Sequence, residues 1–341
     1  MVKRIEVAAG VIVRDDGAFL LGQRAQNTFC PGHWEFPGGK VEPDETPADA
    51  LVRELDEELG IRVLELRPWI VRRHEYAHAR VALHFFEVVR WEGEINSCVH
   101  DALAWQFAGR CRVGPMLEAN GPVLKALELP RFMAITQAGA IGVEAQLERL
   151  DAALESGVRL VQVREAILPQ DVLERFAAEV VVRAHRHGAL VLVNGDASLA
   201  RQVGADGVHL KSAVLARTDV RPDFSWVGAS CHARDELERA AGLGLDYALL
   251  GPVKATLTHP GAAGMGWERF AALTADLPLP VLGLGGLSAA DMKDARAAGA
   301  HGIATIRGVV SCTSRPENPD RRGQSLVDES SLSGGASAGT R

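Results

Sequence analysis

Three glutamates, Glu54, Glu57 and Glu58, stand at i, i+3 and i+4 within GKVEPDETPADALVRELDEELGI, residues 39–61. On a helix this spacing puts their carboxylates on one face, where they repel one another. Arg53 beside them neutralises part of that charge, and a hard divalent cation would do it better. Oxygen-only ligands with open water positions suit Mg²⁺, with Mn²⁺ as the alternative, bridging to substrate phosphates. Without its context such a triplet reads as a solvated acidic face. The preceding loop, Glu35-Phe36-Pro37-Gly38-Gly39-Lys40, lets bare glycine backbone approach an ion closely.

The helix that must position these groups is marked at both ends. Thr46 is its expected N-cap, Pro47 its first residue, Asp49 the partner in a capping box and Gly60 its terminator. Leu51, Leu55 and Leu59, four apart, form its core face. Around it, Ile5–Val13 alternates like a strand and Asp15-Asp16-Gly17 turns the chain. Ala18–Leu21 starts the return strand, and Arg80–Trp91 is β-rich. Pro122–Leu127 reads as a closing helix and Leu129-Pro130-Arg131 as a linker.

From about residue 133 the rhythm changes. Eight short apolar runs (MAITQAG, RLVQVRE, ALVLVNG, DGVHL, WVGASCH, YALLGPV, VLGLGG and HGIATIRG) alternate with amphipathic stretches such as Glu144–Ser156 and Gln170–His185. A doubly wound open sheet gives similar local signals. Eight strands within about 175 residues, with polar residues at successive strand ends, favour a (β/α)8 barrel. Residues 311–341 are rich in Ser, Gly, Pro and charge and are expected to be disordered. The expected division is 1–129, 133–310 and a tail, 311–341.

Composition bounds the function. A chain of 341 residues suggests about two domains. With 47% apolar and 24% charged residues it has the make-up of a globular protein. The 37 Lys+Arg against 44 Asp+Glu give a net charge of −7, which argues against a nucleic-acid polymer as partner. A small phosphorylated metabolite remains compatible, because a metal can carry the positive charge. No apolar run approaches the roughly 20 residues of a membrane span. The N-terminus passes straight into a strand pattern with no signal-peptide cleavage site. Five scattered cysteines without a CxxC pair imply neither a disulfide framework nor a zinc site, so the expected compartment is the reducing cytoplasm. Oligomeric state is not legible.

Residues 39–61 fit G-x5-E-x7-R-E-U-x-E-E-x-G-U, with U aliphatic, through Gly39, Glu45, Arg53, Glu54, Leu55, Glu57, Glu58, Gly60 and Ile61. This resembles the Nudix box, and the resemblance implies a Nudix α/β/α sandwich. It further implies a metal held by the Gly38 carbonyl with Glu54, Glu57 and Glu58, Arg53 assisting, and hydrolysis of a diphosphate bond. Within that family residues 1–129 are most similar to the MutT group, which cleaves 8-oxo-dGTP to the monophosphate and pyrophosphate. The similarity lies in AAGVIV, Arg24 in GQRA, WEFPGGKVEPDET, VVRWEGE and EANGPVLKAL. It implies substrate contacts from Arg24, Glu35, Phe36, Pro37, Gly38, Arg80 and Asn120. An Asn amide offers both donor and acceptor to a purine edge; as a bare residue before Pro122, Asn120 also reads as a helix N-cap. The MutT group places a further acid where this chain has Ala104; Asp101 lies close by.

The second half resembles the thiamine-phosphate synthase and TenI family of (β/α)8 barrels. The matching stretches are VQVRE, VNGD, ADGVHL, GASCH, GPVKATLTHPG and LGLGGLSAADM. Retained are Gln162, Arg164, Asn194, Thr256, Thr258 and Gly285-Gly286, a turn able to cradle phosphate on backbone N–H groups. The family's acid after Asn194 is Gly195. Its Gly-Gln-x-Asp is Lys211-Ser212-Ala213-Val214, and its two lysines are Ala166 and His259. Loss of both acids argues against thiamine-phosphate synthesis. A stabilising relic or dimerisation module, a phosphorylated-ligand binder, and a TenI-like acid–base enzyme using His232 all remain open.

Overall fold

The computed structural model describes residues 3–76, 79–255 and 263–307. The expected disordered tail at 311–341, together with Thr256, Thr258 and His259, lies outside them.

The N-terminal part is a sandwich. Strands β1 (Lys3–Ile12), β2 (Phe19–Gln23), β3 (Trp34–Glu35), β4 (Gly38–Lys40), β5 (Arg62–Tyr76), β6 (Ala79–Glu92) and β7 (Ala102–Gln106) form two sheets. Their orders are β4-β1-β6-β5 and β3-β2-β7. Alternation along β1 sorts the core. Ala8 and Ile12 pack with Leu51, Leu55 and Leu59 of helix α1 (Pro47–Leu59), whereas Ala9 and Val11 pack with Phe36, Phe85 and Val123 of helix α2 (Gly121–Glu128). The expected start and stop of α1 are present. Thr46 Oγ1 accepts the Asp49 N–H at 3.2 Å in a capping box, and Gly60 ends the helix at φ 68°.

The C-terminal part closes. Strands β8 (Phe132–Ile135), β9 (Leu160–Val163), β10 (Leu190–Asn194), β11 (Gly207–Leu210), β12 (Trp226–Cys231), β13 (Tyr247–Leu250), β14 (Val281–Leu284) and β15 (Gly302–Thr305) pair in parallel. They run around the ring as β10-β11-β12-β13-β14-β15-β8-β9. All eight apolar runs are strands, and the open-sheet alternative is excluded. Met133, Leu160, Leu192, Tyr247 and Leu282 fill the barrel interior as packed core.

The two parts touch along β5 and the linker. The Val71 N–H donates to the Leu277 carbonyl at 2.9 Å, and Arg72 reaches the Pro278 carbonyl at 3.1 Å. Glu87, 4% exposed, receives Arg131 at 2.7 Å and also touches Arg296. Trp69 stacks on His301, whose Nε2–H donates to the Leu129 carbonyl at 2.7 Å.

Candidate active site

The glycine loop and α1 meet through Glu58. The Gly38 N–H donates to Glu58 Oε2 at 2.8 Å. Burial pushes the Glu58 carboxyl up to about 8, and the negative charges of Glu54 and Glu35 add to the push while the Gly38 N–H opposes it. Gly38 has φ +138°, and a Cβ there would lie 2.2 Å from the Ala8 carbonyl oxygen. A Cβ on Gly39 would lie 2.3 Å from the Glu54 carboxylate. One glycine is therefore demanded by backbone and the other by a carboxylate.

Arg53 is the local hub. Its guanidinium binds Glu45 at 2.8 Å, Glu54 at 3.0 Å and the Lys40 carbonyl at 3.2 Å, with Glu57 at 3.5 Å. The three glutamates share α1 but are splayed. Glu58 turns in to Gly38, Glu54 lies against Gly39 and Arg53, and the Glu57 side chain is 59% exposed. Among the described residues no three His, Cys, Asp or Glu side chains converge closely enough to hold an ion. The donor set nevertheless suits a hard cation. Burial chiefly raises the proton affinity of Glu58, with a smaller push from Glu54 and Glu35, and a bound cation would offset that repulsion.

The expected substrate residues divide. Arg24 is held inward, with Nη1 on both oxygens of Glu35 at 2.7 and 2.6 Å and Nε on the Phe29 carbonyl. Burial raises the Glu35 carboxyl against the lowering charge of Arg24. Phe36 is 3% exposed, between Phe19 and Phe85 with ring centroids 5.8 and 5.7 Å away. The Pro37 carbonyl accepts the Gly10 N–H at 2.8 Å. Asn120 precedes α2 but makes no side-chain cap bond; it is 2% exposed and its Nδ2 has no partner. It thus holds the N-cap position of α2 without capping it through its side chain.

Arg80 does not join this group. It shares the parity of Phe86 and Val88, which face α1, whereas Phe85 faces Phe36. Its guanidinium pairs with Glu75 at 2.8 Å on the exposed β5–β6 hairpin. Ala104 sits in β7 opposite Leu21, and Asp101 is exposed, its N–H donating to the Gln23 carbonyl at 2.9 Å. His100, which the sequence did not single out, packs its ring over Gly22.

In the barrel, Gln162 is 1% exposed and turned inward, with Nε2 3.8 Å from Met133 Sδ. Arg164 is exposed at the end of β9, Asn194 ends β10, and His232 is exposed with Nδ1 3.3 Å from Glu236. Gly285 and Gly286 have φ +102° and +65°, and a Cβ on Gly286 would lie 2.6 Å from the Ala255 carbonyl oxygen. Where the resemblance expects acids, Lys211 lies over Gly195, its Cε 2.7 Å from where a Cβ would stand. An internal relay also escaped the sequence: buried His209 reaches Ser230 and Tyr247, each at 2.8 Å. Burial, with a smaller push from Arg164, lowers His209 to about 3, so it is neutral.

An α/β/α sandwich with an acidic helix against a double-glycine strand, followed by a parallel (β/α)8 barrel, defines a two-part α/β protein. The thiamine monophosphate synthase family model matches residues 132–309 and the NUDIX domain model residues 4–114. The chain belongs to the thiamine monophosphate synthase family and carries a NUDIX domain before it. The N-terminal part is similar to the CTP pyrophosphohydrolase of Escherichia coli (strain K12), 40% identical over 136 residues, covering 40% of this chain and 96% of that protein. It is also similar to the 8-oxo-dGTP diphosphatase of Proteus vulgaris, 37% identical over 115 residues, covering 34% and 95%. The barrel is similar to the thiamine-phosphate synthase of Thioalkalivibrio sulfidiphilus (strain HL-EbGR7), 33% identical over 180 residues, covering 52% and 85%. Among the described residues no helix is long and apolar enough to cross a membrane.

Proposed function

We propose that the NUDIX domain hydrolyses a nucleoside triphosphate to the monophosphate and pyrophosphate, with 8-oxo-dGTP preferred, and so sanitises the nucleotide pool of the cytoplasm. The observation that carries the base specificity is Asn120, a buried amide whose Nδ2 lacks a partner. A buried donor left unmatched costs free energy, and a base edge that supplies an acceptor recovers it. Glu54, Glu57, Glu58 and the Gly38 carbonyl would hold Mg²⁺ or Mn²⁺. When bound, that ion offsets phosphate charge and activates water. Arg53 pairs with both Glu54 and Glu57, and Gly38 orients Glu58 through its N–H.

The similarity to a CTP pyrophosphohydrolase favours a second reading, in which Asn120 meets a cytosine edge. A thiamine-pathway diphosphate is the third candidate, motivated by the fusion. Pyrophosphate or phosphate release from 8-oxo-dGTP, dGTP, CTP and thiamine diphosphate under Mg²⁺ separates them. Equal kcat/KM for 8-oxo-dGTP and dGTP rejects the oxidised-purine reading.

For the barrel, we propose ligand binding without thiamine-phosphate synthesis. Departure of pyrophosphate needs its developing charge neutralised. Gly195 and Val214 remove the acids expected to anchor an ion, while Gly285-Gly286 retains a backbone phosphate cradle.

A further inference from the structure

We propose that His100 is the proton acceptor for the attacking water in the NUDIX site, its imidazole standing over Gly22 beside Glu35. The inference rests on the hydrolase reading above and names a group in that same site. Gly22 and Glu35 are direct partners in the β2–β3 ladder, so their side-chain directions share one face of the sheet. On that face a Cβ at Gly22 would fall 2.4 Å from the His100 ring. The absent side chain is what admits the imidazole next to the Arg24–Glu35 pair.

The loop carrying His100 is fastened at both ends. The Cys98 N–H donates to the Glu58 carbonyl at 2.9 Å, and the Asp101 N–H to the Gln23 carbonyl at 2.9 Å. Between these points Ser97 Oγ donates to the His100 carbonyl. The loop thus runs from the end of α1 to β2, with the His100 ring over Gly22. Its Nδ1 is buried without a partner, and Nε2 lies on the ring edge that faces Gly22, 2.5 Å from where a Cβ there would stand.

The charged and titratable groups around it are Arg24, just after β2, Glu35 of β3, and Cys98 and Asp101 of its own loop, which meets α1 at the Glu58 backbone carbonyl. Burial, then the charge of Arg24, lowers its proton affinity below the ordinary 6.5. At pH 7 the imidazole is therefore neutral and able to accept. In the step, one water proton passes to Nε2 as the water oxygen bonds to phosphorus. The bridging P–O bond breaks, its electron pair leaves on the departing phosphate, and the imidazolium returns the proton to solvent.

The test uses the full chain and pyrophosphate release from 8-oxo-dGTP, dGTP and CTP. His100→Gln and His100→Ala should lose about 100-fold or more in kcat, the usual scale of general-base catalysis. KM should stay within about three-fold, with the thermal midpoint kept by the Gln variant. The acidic limb of the wild-type pH–rate profile, expected below 6.5, should vanish in His100→Gln, and added imidazole should restore turnover to His100→Ala. A variant within about three-fold of wild-type kcat overturns the assignment. So does a loss of activity with an unchanged limb and no rescue, which marks a packing role. A wild-type chain that releases no pyrophosphate from any of the three nucleotides overturns the hydrolase reading and this inference together.

Discussion

Replacing Glu58 by Gln should stabilise the metal-free protein, and only at neutral to alkaline pH. The ordinary glutamate value of 4.5 is pushed up to about 8 in the folded chain by burial and then by its acidic neighbours. Between those two values the unfolded carboxyl has lost its proton while the folded one keeps it. Stability must therefore fall as pH rises through that window. At about 1.4 kcal/mol per tenfold of proton affinity, the ceiling on the cost above pH 8 is about 5 kcal/mol. Solvent still reaches the side chain, and screening brings the expected cost to about 2–3 kcal/mol. Gln carries no proton to lose and still offers an oxygen to the Gly38 N–H. Differential scanning calorimetry in EDTA should place the NUDIX transition of Glu58→Gln about 10 °C above wild type at pH 8.5, taking about 4 °C per kcal/mol. Near pH 5 the two should coincide, and Mg²⁺ at pH 8.5 should raise wild type more than the variant. A gap of equal size at both pH values, or a less stable variant at pH 8.5, would refute the reasoning.

Glu57→Gln should lower kcat by at least about 100-fold, or about 2.7 kcal/mol of barrier, with an unchanged circular dichroism spectrum. Near-wild-type turnover would remove Glu57 from the metal site. Asn120→Ala should reduce the kcat/KM ratio between 8-oxo-dGTP and dGTP by roughly 1–3 kcal/mol in free-energy terms; an unaltered ratio places base recognition elsewhere. The full chain should fail to restore growth without thiamine to a strain lacking thiamine-phosphate synthase, and should form no thiamine phosphate in vitro. Growth together with product would show that other residues replace the missing acids.

Local signals were the legible ones. Thr46, Asp49 and Gly60 announced α1 because caps involve residues three or four apart, and the eight apolar runs announced the barrel because each strand is buried on both sides. β5 was not legible. Arg67, Arg72, Arg73 and Glu75 break its alternation, Pro68 interrupts it, and only its bulged pairing with β6 makes it a strand. Arg80 matched a motif position, yet its parity on β6 turns it away from Phe36. Asn120 read as a base contact with helix capping as the alternative, and only the fold shows that its side chain is buried and makes no cap bond. His100 and His209 were invisible for one reason: Gly22 lies 78 residues before the first, and Ser230 and Tyr247 lie 21 and 38 residues after the second. The splay of Glu54, Glu57 and Glu58 likewise depends on Arg53, Gly38 and Gly39, whose placement no helical wheel contains.

The contact of Val71 with Leu277 bears on how the two halves depend on each other. β5 runs for 15 residues at the outer margin of its sheet, and an unpaired strand of that length is a template for another chain. The barrel segment Asp276–Pro278 occupies part of that margin, taking the Val71 N–H and both neighbouring arginines with its carbonyls. Cutting the chain at the linker would uncover that row. The severed NUDIX half would then be expected to self-associate more readily than the full chain, even with its own core intact.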